Sequence, residues 1–203
     1  MAEKAESYHH RDLRASLLDT VTKMIAERGV EYVTMRELAH RVGVSRSAPY
    51  RHFKDKSALL AAVAEEGFTR LADSLHAIYQ DNAEDPLLCL QTMCVAYVMF
   101  AIENPTHYRL MYGEEVFKRA DHPNVTAAAS SVFSEVIKIV HQCRAANLLK
   151  PGSPAEIGQT AWALAHGLSL LWLDGLIIVK GDIKVQVEAA FQSLFVGIVQ
   201  QDS

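Results

Sequence analysis

The chain has 203 residues, 50% of them hydrophobic, a formal net charge of −4 and three cysteines. That is enough apolar material for one large domain or two smaller ones with real cores, and it excludes a low-complexity or disordered chain. Cys89, Cys94 and Cys143 form no CxxC pair, so neither a disulfide framework nor a zinc site is expected, and buried apolar thiols in a reducing cytoplasm are.

The opening MAEKAESYHHRDLR is polar and mixed in charge, and reads as neither a signal peptide nor a membrane anchor. A first helix is predicted from about Arg11 to Arg28, with Leu13, Leu17, Leu18, Val21, Met24 and Ile25 on one face and Gly29 at its C-terminus. Next comes Thr34 to Phe53, TMRELAHRVGVSRSAPYRHF, the most informative stretch. Thr34 followed by Glu37 is a capping box, and Met35, Leu38, Ala39 and Val42 recur at the spacing of a short helix. Gly43 suits the turn, and Ser45 is placed to cap a second short helix. A compact helix-turn-helix of this kind lays its second helix in the DNA major groove.

At 100° per residue, Arg46, Ser47, Tyr50 and Arg51 fall on one side of that second helix, with Ala48, Pro49, His52 and Phe53 roughly opposite. Arginine forks onto guanine or clamps a phosphate, serine bonds either base edges or backbone, and tyrosine offers a hydroxyl to phosphate. The overall charge is negative, but residues 34–56 carry six Lys and Arg against two acidic residues, while residues 64–203 are net −7. Screening over about 8 Å makes the local patch decide the attraction to phosphate.

Ser57 is expected to cap a long fourth helix reaching about Tyr79. Further helices follow from Asp85-Pro86 to about Glu103, over THYRLMY before Gly113, and from His122-Pro123 to about Ala146, with Asn147 as the stop. Ser153-Pro154 starts a very apolar helix expected to end at Lys180-Gly181, and Asp182 caps a last helix to about Gln200. The whole is all-α, about nine helices, with no period-two strand pattern.

From Ala161 to Val179 the strongly polar side chains are His166, Ser169 and Asp174. A helix apolar nearly all round is buried in protein or lipid, and the ionisable groups favour protein, so no membrane association is expected. Apolar surface on several sides of the last two helices predicts a four-helix bundle made by two subunits. Its interface would be Leu164, Leu168, Leu171, Trp172, Gly175, Val187, Phe191, Leu194 and Ile198, with Ala161, Gly167 and Gly197 allowing close approach.

With these residues in view, the head resembles the tetracycline-repressor (TetR) family of one-component bacterial regulators. The resemblance rests on TMRELAHRVGVSRSAPYRHFKDKSALL, above all Tyr50-x-His52-Phe53 followed by Lys56 and Leu59-Leu60, and covers residues 9–70. The run WALAHG, Trp162 to Gly167, resembles the C-terminal domain type called WHG. The resemblance implies a DNA-binding domain over 9–70, a ligand-binding and dimerisation domain over 71–203, and a homodimer. It also implies repression relieved by a small molecule. Arg46, Ser47 and Arg51 would face bases or backbone, Tyr50 and His52 would contact phosphate or brace the head, and Lys56 and Thr34 would meet phosphates at helix starts. Arg36 and Ser45 complete the candidate DNA-binding set. One departure is Pro49, where the family usually has a large aliphatic residue; near a helix start the missing N–H is tolerated, so the helix is expected to survive.

Candidate effector-pocket residues are Met93, Tyr97, Phe100, Tyr108, Met111, Phe133, Trp162 and His166, a set suited to an apolar or aromatic ligand. The expected partners are therefore a near-palindromic double-stranded operator, a small effector and a second copy of the chain, with no cofactor and no metal. Two alternatives remain, an enzyme with a helical body and a helical interaction module that borrows the head. Against the first, the chain has no HExxH and no GxSxG. A module of the second kind predicts binding that does not fall with salt.

Overall fold

Helix ends in this chain follow from capping chemistry that can be traced residue by residue. The computed structural model describes residues 2–113, 117–177 and 181–199, with side chains from Leu13 onward. Among these residues the chain forms eight α-helices: α1 (Ala2–Arg28), α2 (Met35–Val42), α3 (Lys56–Asp81), α4 (Pro86–Glu103), α5 (Pro105–Tyr112), α6 (Pro123–Ala145), α7 (Pro154–Leu173) and α8 (Ile183–Ile198). Three short 3-10 turns, at Val30–Tyr32, Pro49–Arg51 and Arg119–Asp121, and one isolated bridge between Leu149 and Val199 complete it. The protein is all-α, an N-terminal helix-turn-helix followed by a helical body.

Several predicted caps are in place. The Thr34 hydroxyl accepts the Glu37 amide at 3.1 Å. Gly43, at φ 77°, ends α2 in the left-handed conformation that side-chain-bearing residues rarely adopt. Asp85 accepts the Leu88 amide at 3.0 Å to start α4, and Asp182 accepts the Lys184 amide at 2.8 Å to start α8. Asn147 is the positive-φ residue beyond α6, at 56°.

Other ends differ from expectation. α1 begins at Ala2, well before Arg11. α3 is capped by Asp55, whose carboxylate accepts the Ala58 amide at 2.8 Å; Ser57 lies inside the first turn and its hydroxyl meets His122 Nε2 at 3.2 Å. α7 stops at Leu173 because Gly175, at φ 68°, turns the chain back. The Gly175 and Leu176 amides then reach the Trp172 and Leu171 carbonyls, each at 2.9 Å, which satisfies carbonyls left open at the helix end. The expected ends at Lys180 and Gln200 fall on residues outside those described.

The chain divides into two compact units, Met1–Gly67 with Thr106–Thr126, and Phe68–Pro105 with Ala127–Ser203. In the first, α1 packs on α2, and Leu17, Val21, Leu38, Leu59 and Val63 are fully buried. In the second, α4 packs against both α7 and α8. With a mean hydropathy of 1.6 over 18 residues, α4 has the length and composition of a membrane span. Its buried residues Cys89, Leu90, Met93, Cys94, Tyr97 and Val98 instead make it the central helix of that unit.

Candidate nucleic-acid interface and body sites

The segment predicted as the second helix of the helix-turn-helix is a turn running into the 3-10 helix Pro49–Arg51. The cause is Pro49. An α-helix through this stretch needs an N–H at position 49 to bond the Ser45 carbonyl, and proline has none. The Ser45 carbonyl takes the Ala48 amide at 3.0 Å instead, and the Arg51 and His52 amides bond three residues back at 3.1 and 3.0 Å. Only Phe53 makes a four-residue bond, to the Pro49 carbonyl at 2.9 Å. The expectation of an intact α-helix is therefore corrected to a tighter 3-10 turn.

The two faces of the segment are nevertheless those that the spacing predicts. Ala48, Pro49 and Phe53 are buried, His52 is half-buried, and Ser45, Arg46, Ser47, Tyr50 and Arg51 are exposed. The buried side is braced from α1, where the Arg14 guanidinium sits 5.6 Å from the centre of the Phe53 ring. Ser45 does not cap with its side chain; its hydroxyl meets that of Ser47 at 3.3 Å.

The candidate cations have different surroundings. Arg41 donates to Glu27 of α1 at 2.6 Å and to Glu37 at 3.3 Å, and these hydrogen bonds raise its already high pKa. Its charge is thus neutralised inside the head. Arg36, Arg46 and Arg51 are exposed, and among the described residues no acidic group pairs with them. Lys56, in the first turn of α3, extends to the Glu31 carbonyl at 3.4 Å, beside the turn that leads to the exposed Thr34 cap. Sequence reasoning leaves out Tyr32, which is 63% exposed in that turn; an aromatic residue two places before a helix cap is the signal that could have found it.

In the second unit, Trp162 Nε1–H donates to the Tyr97 hydroxyl at 3.1 Å, and the Trp162 and His166 rings stack with centroids 5.7 Å apart. Burial lowers the His166 pKa, so this imidazole is neutral near pH 7. Tyr97, Trp162 and His166 are thus brought together. Met93 and Phe100 are buried on α4, and Phe133 lies exposed on α6. Tyr108 and Met111 are fully buried residues of the first unit. None of the eight lines the cavity that α4 and α8 form, a groove of about 480 Å³.

The expected interface residues also separate. Val187 and Phe191 point into the protomer and are buried, which corrects their assignment to a subunit-facing stripe. Leu164, Leu168, Trp172, Leu194 and Ile198 are half-buried, and Leu171 and Gly175 are exposed. Leu176, Val185 and Val196 add exposed apolar surface that the sequence reading did not assign. Ala161 is buried, whereas a Cβ built on Gly167, Gly175 or Gly197 meets nothing within 4 Å. The three thiols are buried, and burial pushes Cys89 up to about 11 and Cys94 and Cys143 to about 12, so they stay protonated.

A helix-turn-helix with an uncompensated cationic face, attached to a helical body, is the architecture of a DNA-binding regulator. Comparison with known proteins agrees. Residues 17–63 match the family described as "Bacterial regulatory proteins, tetR family", and residues 90–196 match "Tetracyclin repressor-like, C-terminal domain". The chain belongs to the tetracycline-repressor family of transcriptional regulators. Among curated proteins it is 24% identical over 190 residues to the nucleoid occlusion factor SlmA of Shewanella woodyi, covering 93% of each chain. It is 38% identical over 69 residues to an HTH-type transcriptional repressor of Mycobacterium tuberculosis, covering 34% of this chain and 37% of that one. Among solved structures, a protein of unknown function from Rhodococcus sp. RHA1 superposes with a TM-score of 0.83 at 31% identity, covering 93% of this chain and 96% of that one.

Proposed function

We propose that this chain is a cytoplasmic, homodimeric regulator that binds a near-palindromic operator and is released from it by a small apolar or aromatic effector. Functionally, residues 9–70 form the DNA-contacting head, and residues 71–203 bind the effector and join the subunits. The observation that carries this reading is the exposed set Arg46, Ser47, Tyr50 and Arg51, held outward by buried Ala48, Pro49 and Phe53.

In this reading Arg46, Ser47 and Arg51 meet base edges or backbone, while Arg36, Ser45 and Tyr50 contact phosphate and sugar. His52, half-buried beside Phe53, braces the turn. Thr34 and Lys56 hold phosphates at the starts of α2 and α3, where free amides favour an anion. Twofold symmetry places the two heads one DNA turn apart, about 34–36 Å, or a multiple of it. The subunits meet through the outer sides of α7 and α8, at Leu164, Leu168, Leu171, Trp172, Gly175, Leu194 and Ile198, together with Leu176, Val185 and Val196. Exposed apolar surface of this extent supports a partner there. The aromatic cluster of Tyr97, Trp162 and His166 suits an aromatic effector, whose coupling to DNA binding would be about 1–3 kcal/mol. The chain has no catalytic role and needs neither cofactor nor metal.

Selection of bound duplexes from a random pool tests the proposal. It should enrich a near-palindrome whose half-sites lie about 10 base pairs apart or a multiple of that. A pool that stays random after several rounds contradicts it.

A further inference from the structure

We infer that Tyr32 is a further DNA contact, whose hydroxyl donates a hydrogen bond to a backbone phosphate next to the one met by Thr34 and Lys56. The inference rests on the duplex-binding reading above and adds a residue to it.

The turn between α1 and α2 fixes where this side chain points. Val33, at φ −70° and ψ 124°, and Thr34, at φ −131° and ψ 146°, are both extended. In extended backbone successive side chains point to opposite sides, and residues two apart share a side. Val33 is 2% exposed, so its side chain is the inward one. Tyr32 and Thr34 therefore face outward together, with their Cα atoms about 6.5 Å apart. That separation matches the step between neighbouring phosphates of one strand. The buried Val33 and the bond from its amide to the Val30 carbonyl, at 3.2 Å, hold the turn in place. A tyrosine on such a fixed backbone has few torsions left to order when it binds.

The charges around the turn favour an anion on the Tyr32 side. Lys56 Nζ lies 3.4 Å from the Glu31 carbonyl, so an ammonium stands one residue away. Exposed Arg36 follows in the first turn of α2. Glu31, the acid of the turn, has its side chain folded back. A Cβ built on Gly29 would lie 2.6 Å from both of its carboxylate oxygens. Gly29, at φ 94°, thus gives the carboxylate its place over the end of α1. The phenol is a neutral donor, and its reach suits a contact that positions the head without reading a base.

Fluorescence anisotropy of the full chain on its selected operator tests this, with Tyr32→Phe as the variant. The substitution removes one oxygen from a side chain that is 63% exposed and leaves the fold intact. Affinity should fall about tenfold, the size of a hydrogen bond to a charged acceptor, and by the same factor on a scrambled duplex. The salt slope should stay that of the native chain, because a neutral donor releases no counterion, whereas Lys56→Ala lowers it. Single methylphosphonate substitutions along the operator then locate the contact. At one position, next to the one where Lys56→Ala loses its effect, the difference between the native chain and Tyr32→Phe should vanish. Unchanged affinity in Tyr32→Phe overturns the inference and leaves the duplex-binding reading standing. A loss that persists at every methylphosphonate position, or that is confined to one operator base, also overturns it. No binding of the native chain to any duplex would remove that reading and this contact with it.

Discussion

Lys56 Nζ lies 3.4 Å from the backbone carbonyl of Glu31, which ties the first turn of α3 to the turn that precedes α2. In the proposed DNA-bound state this ammonium, carried by the first turn of α3, would meet a phosphate. Lys56→Ala is expected to weaken binding about equally for every duplex and to lower the salt slope by about one. Parallel titrations of an enriched operator and a scrambled duplex check this. A loss confined to one operator base would contradict the phosphate role.

Arg46, in the turn after α2, and Arg51, at the end of the 3-10 helix that follows it, are both exposed. If an arginine there forks onto guanine, its replacement by alanine should cost about 1–3 kcal/mol at that base and relax the preference there. Duplex selection repeated with Arg46→Ala and Arg51→Ala reads this out. An unchanged selected sequence with uniformly lower affinity would assign both side chains to phosphate.

Pro49 sets the geometry of the reading segment. Pro49→Leu restores an N–H at the position where an α-helix needs a donor to the Ser45 carbonyl. The segment should then wind more nearly as an α-helix, turning Tyr50 and Arg51 relative to Arg46. Two outcomes are expected: a protected amide at position 49 in hydrogen exchange, and a selected sequence different from that of the native chain. A fast-exchanging amide with an identical selected sequence would show that proline is not what sets this turn.

How legible the molecule is in its sequence depends on the range of the interaction. Thr34, Asp85 and Asp182 cap helices through bonds to amides two or three residues on, and such chemistry is complete within a short window. The Asp174-Gly175 stop is equally local, but glycine serves both as a helix terminator and as a small packing residue. The sequence alone favours neither reading. The apolar stripe Val187, Phe191 and Phe195 states that α8 has a covered face without saying what covers it; α4 of the same protomer does. The exposed face of the reading turn was legible because alternating buried and exposed pairs survive the change from α to 3-10 winding. The groove between α4 and α8 was not, since it exists only once two helices distant in sequence pack together.

Acid stability should report on Glu135. Burial tends to raise its pKa, but hydrogen bonds from Lys138 at 2.6 Å and His76 at 3.3 Å outweigh this and hold it below the ordinary 4.5. A carboxyl with a lowered folded-state pKa adds stability that is complete above its unfolded value and is lost as pH falls through the folded value. Glu135→Gln should therefore destabilise the protein at neutral pH and matter progressively less toward acid. Denaturant midpoints of both proteins across that range check the trend. A difference that grows as pH falls would contradict the assigned ion pairs.

The central claim is that the face bearing Arg46 and Arg51 docks on duplex DNA, and affinity as a function of salt tests it most directly. Fluorescence anisotropy with a pool of double-stranded oligonucleotides should give a logarithmic plot whose slope is about −0.9 per phosphate contacted. That slope should become shallower in Arg36→Ala and Lys56→Ala. Affinity that does not change with salt, or no measurable affinity for any duplex at low salt, would contradict the account.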